Sequence, residues 1–199
     1  MTDLGPEVLL ADPAYVDPTA RLYGKISAEP GVSIWPYAVI RAELHDVWIG
    51  RCSNIQDHVM IHVAWGGPTL IGAHCTIAHG AVLHGCRLGD NCLVGIGATI
   101  MDGCVIGDNC VIAGHSFLKE GTVIPDNSIV MGTPAEALQT RNNFISNKLN
   151  ALMYERNGQA YAEGNHRAWT GPDFDAFLAE TRESLEAEYK ERYGNGDMG

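Results

Sequence analysis

From residue 71 onward an aliphatic side chain returns every sixth position: IGAHCT, IAHGAV, then the shortened LHGCR, then LGDNCL, VGIGAT, IMDGCV, IGDNCV, IAGHSF, LKEGTV and IPDNSI. The first place is always Ile, Leu or Val. The fifth is nearly always small: Cys75, Ala81, Cys92, Ala98, Cys104, Cys110, Ser116, Thr122, Ser128. Gly, Asp and Asn fill the places between, where tight turns need them. A period of six fits neither an amphipathic helix nor an alternating strand. It predicts a solenoid of short strands and turns, three segments and about 18 residues to a coil, with the aliphatic ladder stacked inside. Segments beginning at Ile34, Ile40, Ile49, Ile55 and Ile61 extend it upstream, with loops inserted near LHDVW (44–48) and AWGGP (64–68).

The repeat stops at VMGTPAEAL (130–138). FDAFLAETRESLEAEYKERY (174–193) then spaces Phe174, Phe177, Leu178, Thr181, Leu185 and Tyr189 by three or four, which predicts an amphipathic helix packed on the solenoid or on a neighbouring subunit. Residues 140–170 are expected to hold a first helix and a loop. The division expected is a β-class solenoid over 1–138 and a helical extension over 139–199.

The same register places side chains. The runs from Ile40, Ile61 and Leu83 share one face, and their second places are Arg41, His62 and His84. His62 and His84 therefore stack one rung apart, about 5 Å in backbone spacing, close enough to converge on one ion. His79 belongs to a different face. It can join the other two only if subunits pack around a threefold axis, so that His79 of one chain meets His62 and His84 of the next. Three histidines and an open fourth position is the pattern of a catalytic rather than a structural zinc site. The remaining histidines, 45, 58, 74, 115 and 166, carry no such stacking and are read as solvated or hydrogen-bonded.

Composition narrows the partners. The 199 residues hold 46% hydrophobic and 19% charged side chains, with a formal net charge of −11. That balance speaks against a nucleic-acid backbone or an anionic membrane as partner. No run approaches the roughly 18 apolar residues of a membrane span. The start, MTDLGPEVLL, has two acids and no base, unlike a secretory leader, so a cytoplasmic protein is expected. Four of the six cysteines sit at the small fifth place and are read as core residues, and Cys52 and Cys86 as structural too. The GIG at 95–97 is a turn, since no lysine and no strand-to-helix change follow it. Ser116 and His115, adjacent on a strand, point to opposite faces and make no nucleophile–base pair.

NIQDHVMIHV, IGAHCTIAHGAVLHGCRLGDNCLVGIGATIMDG and MGTPA together resemble the γ-class carbonic anhydrase family of hexapeptide-repeat proteins, over about residues 12–138. The SFLKEG and VMGTPA strings and the long C-terminus look nearest to its carnitine-operon and phenylacetate-degradation subgroup. The resemblance implies a left-handed parallel β-helix, an exception to the right-handed crossover rule, and a homotrimer with metal between subunits. It implies His62 and His84 as ligands from one chain and His79 as the ligand from the next, with Zn²⁺ as the default and iron(II) or cobalt(II) as substitutes. Arg41 matches the family arginine that pairs across the interface, here with Asp57. Gln56 matches the glutamine beside the metal-bound water, and Glu43 the family acid near that arginine, one methylene longer. Tyr161 or Tyr154 matches a helix tyrosine lining the site. The implied activity is hydration of CO₂ to bicarbonate by hydroxide on the metal. VAWGGP after His62 lacks the family's proton-shuttle glutamate, which implies slower turnover or another small-molecule electrophile. A metal-dependent hydrolase or thioesterase on acyl-CoA, a metal-free hexapeptide acyltransferase, and a non-catalytic subunit stay open as alternatives.

Overall fold

The structure, a computed structural model, describes residues 4–194. The chain winds as a left-handed parallel β-helix of about 7 turns with C-terminal helices against it. Its cross-section has three faces. The first holds Met60–His62, Val82–His84, Thr99–Ile100 and Phe117–Leu118, in register with the leading half of Val39–Ile49. That long strand bends, and its trailing half pairs with Thr69–Ile71 on the second face, where Arg87–Leu88, Val105–Ile106 and Val123–Ile124 follow. The third face runs from Tyr15–Val16 through Ser33–Ile34, Asn54–Ile55, Thr76–Ile77, Leu93–Val94 and Val111–Ile112 to Ser128–Gly132. Ala135–Thr140 closes that sheet antiparallel.

The six-residue period has a direct physical cause. Each first-place aliphatic points inward and meets its equivalent one coil away: Ile61 pairs with Leu83 and Leu83 with Ile100, all without solvent exposure. Each such side chain contributes about 1.5–3 kcal/mol by leaving water. The small fifth place turns the corner. Cys75, Cys92, Cys104 and Cys110 are buried there, and all six cysteines are free. Cys52 departs from this pattern: it lies in a turn with φ of 54° and is only part-buried, and burial together with neighbouring Glu155 pushes its thiol pKa up to about 12. The GDN and PDN strings are explained by Asn91, Asn109 and Asn127. They occupy left-handed corners and stack amide on amide at 3.2 and 3.1 Å.

Helix α1, Phe144–Ala162, lies along the third face. Gly158 permits the approach: a Cβ there would stand 3.1–3.3 Å from Tyr15, Ser33 and Ala14. Helix α2, Pro172–Tyr193, buries Phe174, Leu185 and Tyr189. It packs on α1, through Phe144 and a Lys148–Glu188 ion pair of 2.8 Å, and touches the coil at Asn109 through Tyr193. No described helix is long and apolar enough to cross a membrane.

Candidate functional site

Arg41, His62 and His84 stand on three successive rungs of the first face, at the residue just after the buried aliphatic. Alternation along the strand turns them outward. Two local features fix the strand ends. Thr69 Oγ1 donates to the His62 carbonyl at 2.6 Å and accepts from the Gly85 N–H at 3.0 Å. Gly85 takes φ of 54°, and a Cβ there would meet the Ala64 Cβ at 2.2 Å, so the tight corner after His84 requires glycine.

The imidazoles of His62 and His84 face each other, Nδ1 to Nε2, at 3.0 Å. Their other nitrogens are held by carboxylates. His62 Nε2 donates to Glu43 Oε2 at 3.0 Å, and His84 Nδ1 donates to Asp102. A neutral imidazole carries one N–H. With both N–H groups spent on carboxylates, the two facing nitrogens present lone pairs to each other, an arrangement that a shared cation stabilises. Two nitrogens bound to one tetrahedral zinc at about 2.0–2.1 Å would lie about 3.3 Å apart, a few tenths of an ångström beyond the separation seen. The donor set therefore fits a divalent ion. Carboxylates on the outer ring nitrogens also match the way metal-bound histidines are oriented.

His79 is not with this pair. It occupies the turn that leaves the third face, one rung below Asp57, which accepts from its Nδ1 at 2.9 Å. In the neutral ring its Nε2 is then left as a lone pair, and the side chain is 46% exposed. Among the described residues no three His, Cys, Asp or Glu side chains of one chain converge as a ligand set. The structure brings His62 and His84 together and holds His79 apart.

Of the other positions marked in the sequence, Arg41 pairs within the chain with Glu43 at 2.7 Å, and the carboxylate of Asp57, its expected partner across a subunit interface, is engaged within the chain by His79. Glu43 titrates below the usual carboxylate range. The upward push of burial is outweighed by hydrogen bonds to its own backbone N–H and to His62 and by the Arg41 charge. Gln56 is buried, and its amide donates to Asn54 Oδ1 at 3.0 Å. Asn54 in turn donates to Thr76 Oγ1, which also accepts from Asn150 of α1, each at 3.0 Å. Tyr161 and Tyr154 both line a cleft beside His79 and Asp57, so both of the tyrosines considered lie near one of the histidines. Burial first, then the charge of Asp57, pushes Tyr154 up to about 12.

Two residues at this site carry no mark in the repeat. Asp102 orients His84 from the next rung; the signal was its place two residues after Ile100, the partner of Leu83 one coil away. Asn54 fixes Gln56, and it stood in view inside NIQD.

A family profile described as bacterial transferase hexapeptide (six repeats) matches residues 85–120. A protein named probable carbonic anhydrase from Methanocaldococcus jannaschii is 50% identical over 137 residues, 68% of this chain and 86% of that one. The mitochondrial γ carbonic anhydrase 1 of Arabidopsis thaliana is 33% identical over 191 residues, 91% of this chain and 69% of its own. Among solved structures, a hexapeptide transferase family protein from Anaplasma phagocytophilum superposes with a TM-score of 0.63 at 30% identity, over 79% of this chain and 98% of its own. With two of these relatives matched over more than two thirds of their length, and with the paired histidines of the first face in place, the chain belongs to the γ-class carbonic anhydrase family of hexapeptide-repeat proteins.

Proposed function

We propose that three copies of this chain close into a ring and that each interface, built from His62 and His84 of one copy and His79 of the next, hydrates CO₂ to bicarbonate. One observation carries this reading. Each of the three imidazoles has one nitrogen on a carboxylate, Glu43, Asp102 or Asp57, which in the neutral ring leaves its other nitrogen as a lone pair. A divalent cation held there by His62, His84 and the neighbouring chain's histidine, zinc by default, would supply Lewis acidity, which brings the pKa of water from about 15.7 towards about 7.

The chain's own side chains do the rest. Glu43 and Asp102 fix the tautomer and tilt of His62 and His84, and Asp57 does so for His79. Gln56 is pinned through Asn54, so its side chain has one orientation to offer CO₂ or departing bicarbonate. Arg41 neutralises Glu43 within the chain and stands at the rim, where a neighbouring chain would meet it. No acid lies between His62 and Thr69, and Glu43, Asp102 and Asp57 are held on the imidazoles, so the proton leaves to buffer.

Stopped-flow CO₂ hydration on zinc-loaded protein, beside His84→Ala and beside a thioester hydrolysis panel, tests the reading. Hydration that rises with imidazole buffer and disappears in His84→Ala together with the bound zinc is the expected result. Hydration retained by a metal-free variant, or thioester turnover without hydration, rejects it.

A further inference from the structure

Between the third face and the helices lies a cleft of about 460 Å³. That falls in the range in which proteins hold small organic ligands, about 300–1,000 Å³, and CO₂ needs a small part of it. Its walls are aromatic. Trp35 meets Tyr161 at 4.9 Å and Tyr154 at 5.6 Å, ring centroid to centroid, and Tyr154 meets Trp169 at 5.0 Å. The interplanar angles are 70°, 86° and 82°, so the rings form walls at right angles rather than a stack. Trp35 is locked by burial and by its Nε1 donating to Ser33 Oγ at 3.0 Å. Such rigid rings favour a flat, unsaturated body, which they can meet face-on and edge-on.

The charges decide the other end of the ligand. The acid of the cleft, Asp57, is already engaged by His79. Arg167, from the connection between α1 and α2, lines the mouth, and among the described residues no carboxylate lies within 4.0 Å of its guanidinium. His166 beside it packs on the Tyr161 ring at 4.6 Å. A guanidinium with free donors favours a carboxylate and disfavours an organic cation.

We propose that this cleft is a binding site for a small planar carboxylic acid, its body among Trp35, Tyr154, Tyr161 and Trp169 and its carboxylate on Arg167. The site adjoins His79 but does not depend on the hydratase reading, because binding is measured without turnover. Titration calorimetry of the full-length protein with benzoate, benzyl alcohol, cyclohexanecarboxylate and phenyltrimethylammonium tests it. Benzoate is expected to bind at least tenfold tighter than each of the other three. Arg167→Met, a surface change, should weaken benzoate about tenfold and leave benzyl alcohol unchanged, while Trp169→Ala weakens both. Because an anion can also bind a metal ion directly, His84→Ala is the control. Benzoate affinity that persists there belongs to the cleft, and affinity lost there with the metal overturns the proposal. Equal binding of benzoate and benzyl alcohol, tighter binding of the ammonium, or benzoate affinity indifferent to Arg167→Met overturns it as well.

Discussion

Asp102→Ala is the sharpest perturbation of the candidate metal centre, because it replaces no proposed ligand and removes no core atom. Asp102 accepts the Nδ1 proton of His84 and so keeps Nε2 aimed at His62 Nδ1, 3.0 Å away. Without the carboxylate the ring turns about a broad torsion with two nearly equal minima, and one of the two takes Nε2 away from the shared position. It also loses the N–H acceptor that makes Nε2 the basic nitrogen. Losing such an outer partner lowers metal affinity about 10–100-fold, or ~1.4–2.7 kcal/mol at about 1.36 kcal/mol per decade. Asp102→Asn keeps an oxygen that can accept but drops the charge, so it should fall at the weak end of that range. His84→Ala, which deletes the ligand, sets the lower limit. Zinc competition against a chromophoric chelator reads the affinity, and the melting temperature of chelator-treated protein shows whether the fold is intact. Asp102→Ala within twofold of the parent in zinc affinity would refute the reasoning, and so would a loss matched by an equal fall in metal-free stability.

Leu83 lies under His84 with no exposure, clasped by Ile61 and Ile100, so Leu83→Ala should cost about 2–5 kcal/mol in chemical denaturation; a cost below about 1 kcal/mol would contradict the ladder as the stabilising core. His74 is pushed down to about 4, first by burial and then by Lys148, against the opposing Asp90 and Glu188. Its contribution to stability is whole above pH ~6.5. It drains as the pH falls to about 4, where the unfolded chain binds a proton that the native chain refuses. His74→Asn, suited to the left-handed φ of 54°, should therefore lose less stability than the parent between those two pH values in thermal melts; parallel pH profiles would remove His74 as the cause. If the zinc site spans two subunits, zinc at 100 times its dissociation constant should favour the assembled form by about 2.7 kcal/mol per site. Sedimentation on dilution should then show dissociation shifted to lower concentration by zinc; the same midpoint with and without zinc would place the ion within one chain.

The solenoid was legible because its core is one-dimensional. An aliphatic side chain at a fixed place in each segment has one position to occupy, above and below its equivalents, so counting residues predicts neighbours. Arg41, His62 and His84 could be stacked on paper for this reason, across an insertion at AWGGP that the count absorbs. Side chains that reach between rungs were not legible. Asp102 bends back from the turn after its own strand, a direction the period does not encode. Gln56 stands at the second place after Ile55, as Arg41, His62 and His84 do in their segments, yet it is buried and held by Asn54 within the Asn54–Thr76–Asn150 chain. The helical extension was legible as helix but not in its docking. The apolar stripe of α2 serves α1 through Leu185 and Tyr189, and Tyr193 at its end hydrogen-bonds the coil at Asn109. The connection holding His166, Arg167 and Trp169 has no period at all, so its fold over the cleft beside His79 emerges only in three dimensions.

The geometry also gives a reason why the proposed function belongs at seams between chains. Every first place is committed to the interior, and the turns are committed to left-handed corners filled mostly by Asn, Gly or His. Chemistry is left with the outward second places and the turn residues beside them. On one chain these lie on separate faces: His62 and His84 on the first, His79 at the edge of the third. A rigid coil cannot fold one face onto another. In the proposed assembly a second molecule closes the distance that keeps His79 from the pair, and a ring of identical chains does so with every interface alike. The cleft of Trp35, Tyr154, Tyr161 and Trp169 travels with His79, not with the pair. Each proposed interface thus joins two unlike halves, one chain's paired imidazoles with their outer carboxylates and the next chain's single imidazole with its aromatic cleft, and substitutions in the two halves should separate metal affinity from ligand selectivity.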